Sequence, residues 1–187
     1  MARQPRLELA GGTYHVTCRG NRQSTIFGDT IDRERFLSLL ADVVGRNRWR
    51  CFGYCLMTNH FHIVLETPEP NLGSGMHRLN GIYAQRFNQR WGHKGHLFEE
   101  RYRSGLIVSD VHMLELARYV VLNPVRAGIC GSPEAWPWSS YRGTTDASRA
   151  RSFLAVDELL AYFGRTPDEA RKEFAGFVRD GLRLRPS

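Results

Sequence analysis

Lysine is almost missing from this chain. Of its 26 basic residues only Lys94 and Lys172 are lysines, and the rest are arginine. The planar guanidinium suits bidentate phosphate contacts better than a compact ammonium does. GC-rich coding DNA yields the same bias, so the preference alone does not identify a partner. No apolar run is long enough to cross a bilayer, and residues 1–20 lack the apolar core of a secretory signal. A cytoplasmic protein with no membrane partner is the expectation. The four cysteines, Cys18, Cys51, Cys55 and Cys130, form no Cys-x-x-Cys pair and no zinc-knuckle spacing. Reduced, buried thiols are expected instead. Acidic residues are absent from Pro70 to Phe98.

What is present points to a basic globular domain. The 187 residues carry a formal net charge of +7, which favours a polyanionic partner. Residues 1–11 read as a basic arm. In the strand pattern "TYHVTCRGN", Tyr14, Val16 and Cys18 alternate with His15, Thr17 and Arg19. Asp32 is a candidate cap for a helix whose apolar face holds Phe36, Leu39, Leu40, Val43 and Val44. "RCFGYCLMT" and "HFHIVLET" read as two adjacent strands turning near Thr58-Asn59, and a second helix is expected from about Gly75 to Trp91. "LFEERYRSGLIVS" reads as a fourth strand. A third helix, capped by Asp110, is expected to stop near Asn123-Pro124, because the residue before proline avoids helical geometry.

The order of the first six elements is βαββαβ, the ferredoxin-like α+β arrangement. Its antiparallel sheet carries helices on one face and leaves the other free for a ligand. Residues 1–143 are expected to form this domain, with its basic N-terminal arm. Residues 144–187 are expected to add a C-terminal helical extension ending in a frayed "RLRPS".

Two histidines one residue apart interrupt the apolar third strand. His60 and His62 share a strand face while Phe61 and Ile63 point the other way. That spacing can chelate one metal ion, but it equally describes a packed or solvated pair. In the third helix the apolar arc holds Met113, Leu114, Ala117, Val120 and Val121, and His112, Glu115, Tyr119 and Asn123 project to another side. Tyr119 and Asn123 are i, i+4 neighbours, so an amide oxygen and a phenol could join the imidazoles. The bland alternative makes Asn123-Pro124 a plain helix stop.

"TNHFHIVLE" together with "ARYVVLNPVRAG" resembles the single-tyrosine HUH transposases, and more closely the REP-associated tyrosine transposases. "GGTYHVTCRGNRQSTIF", "MHRLNGIYAQRFNQRWGHKGHLFEERYRS" and "AWPWSSYRG" resemble further segments of that family in order. The likeness covers roughly residues 3–143, and more loosely the chain to about residue 180. It implies that His60, His62 and Asn123 hold Mg²⁺ or Mn²⁺ and that Tyr119 is the nucleophile. It also implies cleavage and rejoining of single-stranded, hairpin-forming repeat DNA through a 5′-phosphotyrosine, by a monomer or homodimer. Glu115 and His112 are candidate helpers of the phenol. Arg3, Arg6, Arg19, Arg22, Arg78, Arg86, Arg90, Arg101 and Arg103 are candidate DNA contacts, with surface solubility as the alternative for each. Trp136 and Trp138 could stack on bases or belong to the core.

Two other readings compete. A non-catalytic binder of repetitive extragenic DNA would keep the arginines and have no need of Tyr119. A βαββαβ RNA-binding module would stack bases on sheet aromatics, which "HFHIVLE" does not offer.

Overall fold

Alternation along "GTYHVTCR" produces β1 (Gly12–Arg19), whose even-numbered residues are buried and whose odd-numbered ones are more exposed. The computed structural model describes residues 8–183, so Arg3, Arg6, most of the basic arm and the end of the tail lie outside the described residues. The elements that follow are α1 (Thr30–Asn47), β2 (Arg50–Leu56), β3 (His60–Thr67), α2 (Leu72–Trp91), β4 (Arg103–Ile107) and α3 (Asp110–Arg126). The four strands form one antiparallel sheet in the order β2-β3-β1-β4. That is the ferredoxin-like order expected for βαββαβ, and it makes β3 a central strand.

The cap of α1 is Asp29, not Asp32. Asp29 is extended and accepts a hydrogen bond from Asp32 N at 3.0 Å. Asp32 sits at the third helical position and accepts from Gly28 N at 2.9 Å, one residue before the cap, so the two carboxylates together satisfy donors on both sides of the helix start. The buried Asp32 carboxylate also accepts from Arg90 Nη1 at 2.5 Å and Trp91 Nε1 at 2.9 Å. It therefore joins α1 to the end of α2.

Phe61, Ile63 and Leu65 of β3 face α1 and α2, in one apolar cluster with Phe36, Leu40, Met76, Leu79 and Tyr83. The Phe61 ring lies 4.8 Å from that of Phe36. Phe61→Ala should therefore destabilise the protein by about 3–5 kcal/mol, measured by urea unfolding. A much smaller loss would mean that this strand face is not the core face.

The opposite face is only partly open. α3 lies across β2, β3 and β4, sharing a second apolar cluster with Val64, Ile107 and the C-terminal helices. Those helices are α4 (Tyr141–Thr145), α5 (Val156–Leu160) and α6 (Pro167–Asp180). α4 straddles the expected 143/144 division, and Arg171 of α6 donates to Thr144 O at 2.6 Å. Arg118 of α3 is buried, binds Glu115 and stacks on Phe177 at 4.4 Å, fastening α3 to α6. No helix among the described residues is long and apolar enough to cross a membrane.

The third helix begins one residue earlier than expected in its capping. Ser109 is the N-cap, its hydroxyl accepting from His112 N at 3.2 Å. Nor does the helix stop at Asn123-Pro124; it runs to Arg126 and ends before Gly128, whose φ is +68°. Proline lacks the N–H that would bond Val120 O. Asn123 Nδ2 lies 3.5 Å from that carbonyl and 3.0 Å from Tyr119 O. The side chain thus partly replaces the missing donor.

Candidate active site

Sheet register places His60 and His62 on the face away from α1 and α2. His62 pairs with Thr17 on one side and Cys55 on the other, and His60 pairs with Arg19. α3 brings Tyr119 and Asn123 over the same area. His60, His62, Tyr119 and Asn123 line one cavity of about 330 Å³, together with Thr17, Arg19 and Arg103. A larger cavity of about 750 Å³ adjoins it and shares Glu99, Glu100 and Arg101.

Tyr119 is 38% exposed. Its ring stands edge-on to His62, with centroids 5.9 Å apart at 87°. It meets His15 in the same way at 6.2 Å and 81°, and Arg126 lies over it at 5.4 Å. Among the described residues no protein group hydrogen-bonds the Tyr119 hydroxyl, so it is available to a ligand. Because Asn123 Nδ2 is turned onto its own helix, the amide oxygen is the atom left for an outside partner.

The two histidines differ in burial. His62 is 7% exposed, and its Nε2 is a buried nitrogen without a hydrogen-bond partner. Burial, reinforced by His15, His60 and Arg19, pushes the His62 imidazole down to about 3. Half-buried His60 is lowered by burial and then by Arg19. Its Nδ1 lies 2.7 Å from Asn59 Oδ1. An amide oxygen only accepts, so His60 carries its proton on Nδ1 and keeps a lone pair on Nε2. Neutral imidazoles are the form that binds metals.

A divalent cation fits this donor set on two grounds: an orphaned buried imidazole nitrogen, and an amide oxygen on the same cavity. Among the described residues no group of three or more His, Cys, Asp or Glu side chains is arranged to hold a metal ion. The candidate set is thus two imidazoles plus one amide, a mixed N and O environment that does not by itself select one metal.

The arginines divide. Arg19, Arg101 and Arg103 line the cavity, where Arg103 is paired with Glu100. Arg78 pairs with Asp42, and Arg90 with Asp29 and Asp32, so these two are engaged by α1. Exposed Arg86 of α2 neighbours Arg35 of α1, on elements that pack on the Phe61 face of the sheet. Arg22 lies near Lys94 and His93, in a separate surface hollow. The missing acids of Pro70–Phe98 are therefore supplied from α1, and α2 is less cationic than its own sequence implies. Trp136 donates to Leu56 O at 3.1 Å, and both Trp136 and Trp138 flank Arg33. Glu115 is engaged by Arg118.

His15 was not among the expected site residues. Its Nε2 lies 3.0 Å from His62 Nδ1, in nearly parallel rings at 10°. The outward phase of "TYHVTCRGN" put it on the right face, but only the β1–β3 register brings it to His62.

Residues 9–123 match the family model of IS200-like transposases. A REP-associated tyrosine transposase, solved bound to a REP hairpin, is similar in structure. It has a TM-score of 0.66 and 19% identity over 84% of this chain and 90% of that one. A candidate transposase from Deinococcus radiodurans R1 is 20% identical over 64% of this chain and 94% of that one, with a TM-score of 0.44. No curated protein matches. With the family model spanning the whole of the βαββαβ unit and of the segment from His60 to Asn123, the chain belongs to the IS200-like transposase family.

Proposed function

We propose that this chain cleaves and rejoins single-stranded DNA through a 5′-phosphotyrosine on Tyr119, acting on repeats that fold as hairpins. The observation that carries this reading is the meeting of an exposed phenol, a buried imidazole with an unpartnered nitrogen and an amide oxygen on one cavity. Membership of a transposase family makes DNA the substrate class. The hairpin follows the REP hairpin bound by the structurally similar protein.

Arg19, Arg101 and Arg103 would hold the phosphate backbone where it crosses the cavity. Tyr119 Oη attacks phosphorus, the new Oη–P bond forms, and the P–O3′ bond breaks. The phenol's proton leaves to solvent, which reaches this exposed side chain, and the departing oxygen takes up a proton as the 3′-hydroxyl. His60, His62 and the Asn123 amide oxygen would hold Mg²⁺ or Mn²⁺, which when bound supplies Lewis-acid polarisation of the phosphoryl oxygen. Burial lowers both imidazoles and so favours the neutral forms, whose lone pairs that task needs. The phosphotyrosyl ester conserves the phosphodiester, so a second 3′-hydroxyl can reverse the attack without ATP.

Purified protein with hairpin-bearing single-stranded DNA and Mn²⁺ should cut at one position, and EDTA should reduce cutting to background. Tight hairpin binding without cutting, in either Mg²⁺ or Mn²⁺, would favour the non-catalytic binder instead.

A further inference from the structure

We propose that His15 is a positioning residue that fixes the tautomer of His62, leaving a lone pair rather than a proton on His62 Nε2; its use for a cation rests on the reading of His62 as a ligand. His15 Nε2 and His62 Nδ1 are 3.0 Å apart, so one of them carries the shared proton. If His15 donated, His62 would hold its own proton on Nε2. That nitrogen is buried and has no acceptor among the described residues. A buried N–H without an acceptor is disfavoured, whereas an imidazole lone pair at that position can serve a cation. With His62 Nδ1–H donating to His15, no buried donor of the pair is orphaned: His15 then carries its own proton on Nδ1, which is not among the buried unpartnered atoms.

The neighbouring imidazole has the same device. Asn59 Oδ1 accepts from His60 Nδ1 at 2.7 Å and fixes its lone pair on Nε2. Each histidine of the pair therefore has its own acceptor, Asn59 for His60 and His15 for His62. The near-parallel imidazoles of His15 and His62, at 10°, suit a bond lying in the ring planes. Tyr119 stands edge-on to both rings, so the same pair also seats the phenol. Partners behind metal-binding histidines generally set tautomer and orientation in this way.

Long-range ¹H–¹⁵N NMR of the metal-free, full-length protein reads the tautomer directly. The wild type should show His62 protonated at Nδ1. His15→Phe keeps a ring but no acceptor, and should shift His62 towards Nε2–H. It should also weaken Mn²⁺ binding, followed by electron paramagnetic resonance, by about 10- to 100-fold. His15→Gln restores an acceptor and should recover most of both signals. A wild-type His62 protonated at Nε2 would overturn the proposal, even if His15→Phe fails to fold. So would a folded His15→Phe with unchanged tautomer and Mn²⁺ affinity. If the wild type bound no Mn²⁺ through His62, the ligand reading would fail, and the tautomer spectrum would still decide the role of His15.

Discussion

Tyr119→Phe is expected to remove the denaturation-resistant protein–DNA adduct completely while leaving hairpin binding intact. The substitution deletes one oxygen. The ring contacts to His15 and His62 and the stacking under Arg126 do not involve that oxygen, and no protein hydrogen bond to it is lost among the described residues. Folding and DNA affinity should therefore survive, and only the bond-forming atom disappears. Removal of a covalent nucleophile has cost on the order of 10⁶-fold in rate in a well-studied hydrolase, so cleavage should fall below detection. Gel electrophoresis under denaturing conditions with end-labelled DNA checks this. Persistent adduct in the variant would place the nucleophile elsewhere.

The second large effect concerns the imidazole pair. His62→Ala should abolish both Mn²⁺ binding and cleavage, and His60→Ala should do the same. Loss of a partner behind a ligand already weakens a metal site about 10- to 100-fold, so loss of a direct ligand should exceed about 100-fold. The two variants separate chemistry from folding, because His62 is buried beside His15 whereas His60 is only half-buried. His60→Ala should melt near the wild-type temperature and still be inactive. Retained metal-dependent cleavage in either variant would remove that histidine from the ligand set.

Much of the fold was legible because burial in this chain follows simple periods. Alternation in "TYHVTCRGN" and the apolar arcs of α1 and α3 each name one buried face, and element order then restricts the topology. The helix ends were less legible. Asp29 and Asp32 both suit a cap, and only the extended backbone at Asp29 decides between them. Pro124 signals a stop by its own chemistry, yet Asn123 supplies a donor to the freed carbonyl and α3 continues. The partners of the C-terminal helices were not legible, since an apolar stripe does not say what it covers. α5 and α6 share their core with α3 and close part of the face that the βαββαβ pattern alone leaves open.

The candidate site shows the same division. His60 and His62 stand out by spacing, and Tyr119 and Asn123 by lying off the apolar arc of α3. Their meeting at one cavity depends on α3 crossing the sheet, which periodicity does not specify. His15 was visible only as one more outward strand residue, because its partner lies 47 positions away. The arginines were over-read for a related reason: charge patterns within α2 cannot reveal that Asp42, Asp29 and Asp32 of the α1 region occupy Arg78 and Arg90.

Mapping the covalent bond tests the tyrosine nucleophile most directly. Trypsin cuts after Arg118 and Arg126, releasing "YVVLNPVR" with Tyr119 as its one tyrosine. After reaction with hairpin-bearing single-stranded DNA, nuclease trimming and digestion, mass spectrometry should find this peptide carrying a 5′-linked nucleotide. A nucleotide on any other peptide, or complete cleavage with no peptide modified at any time point, would contradict a mechanism through Tyr119.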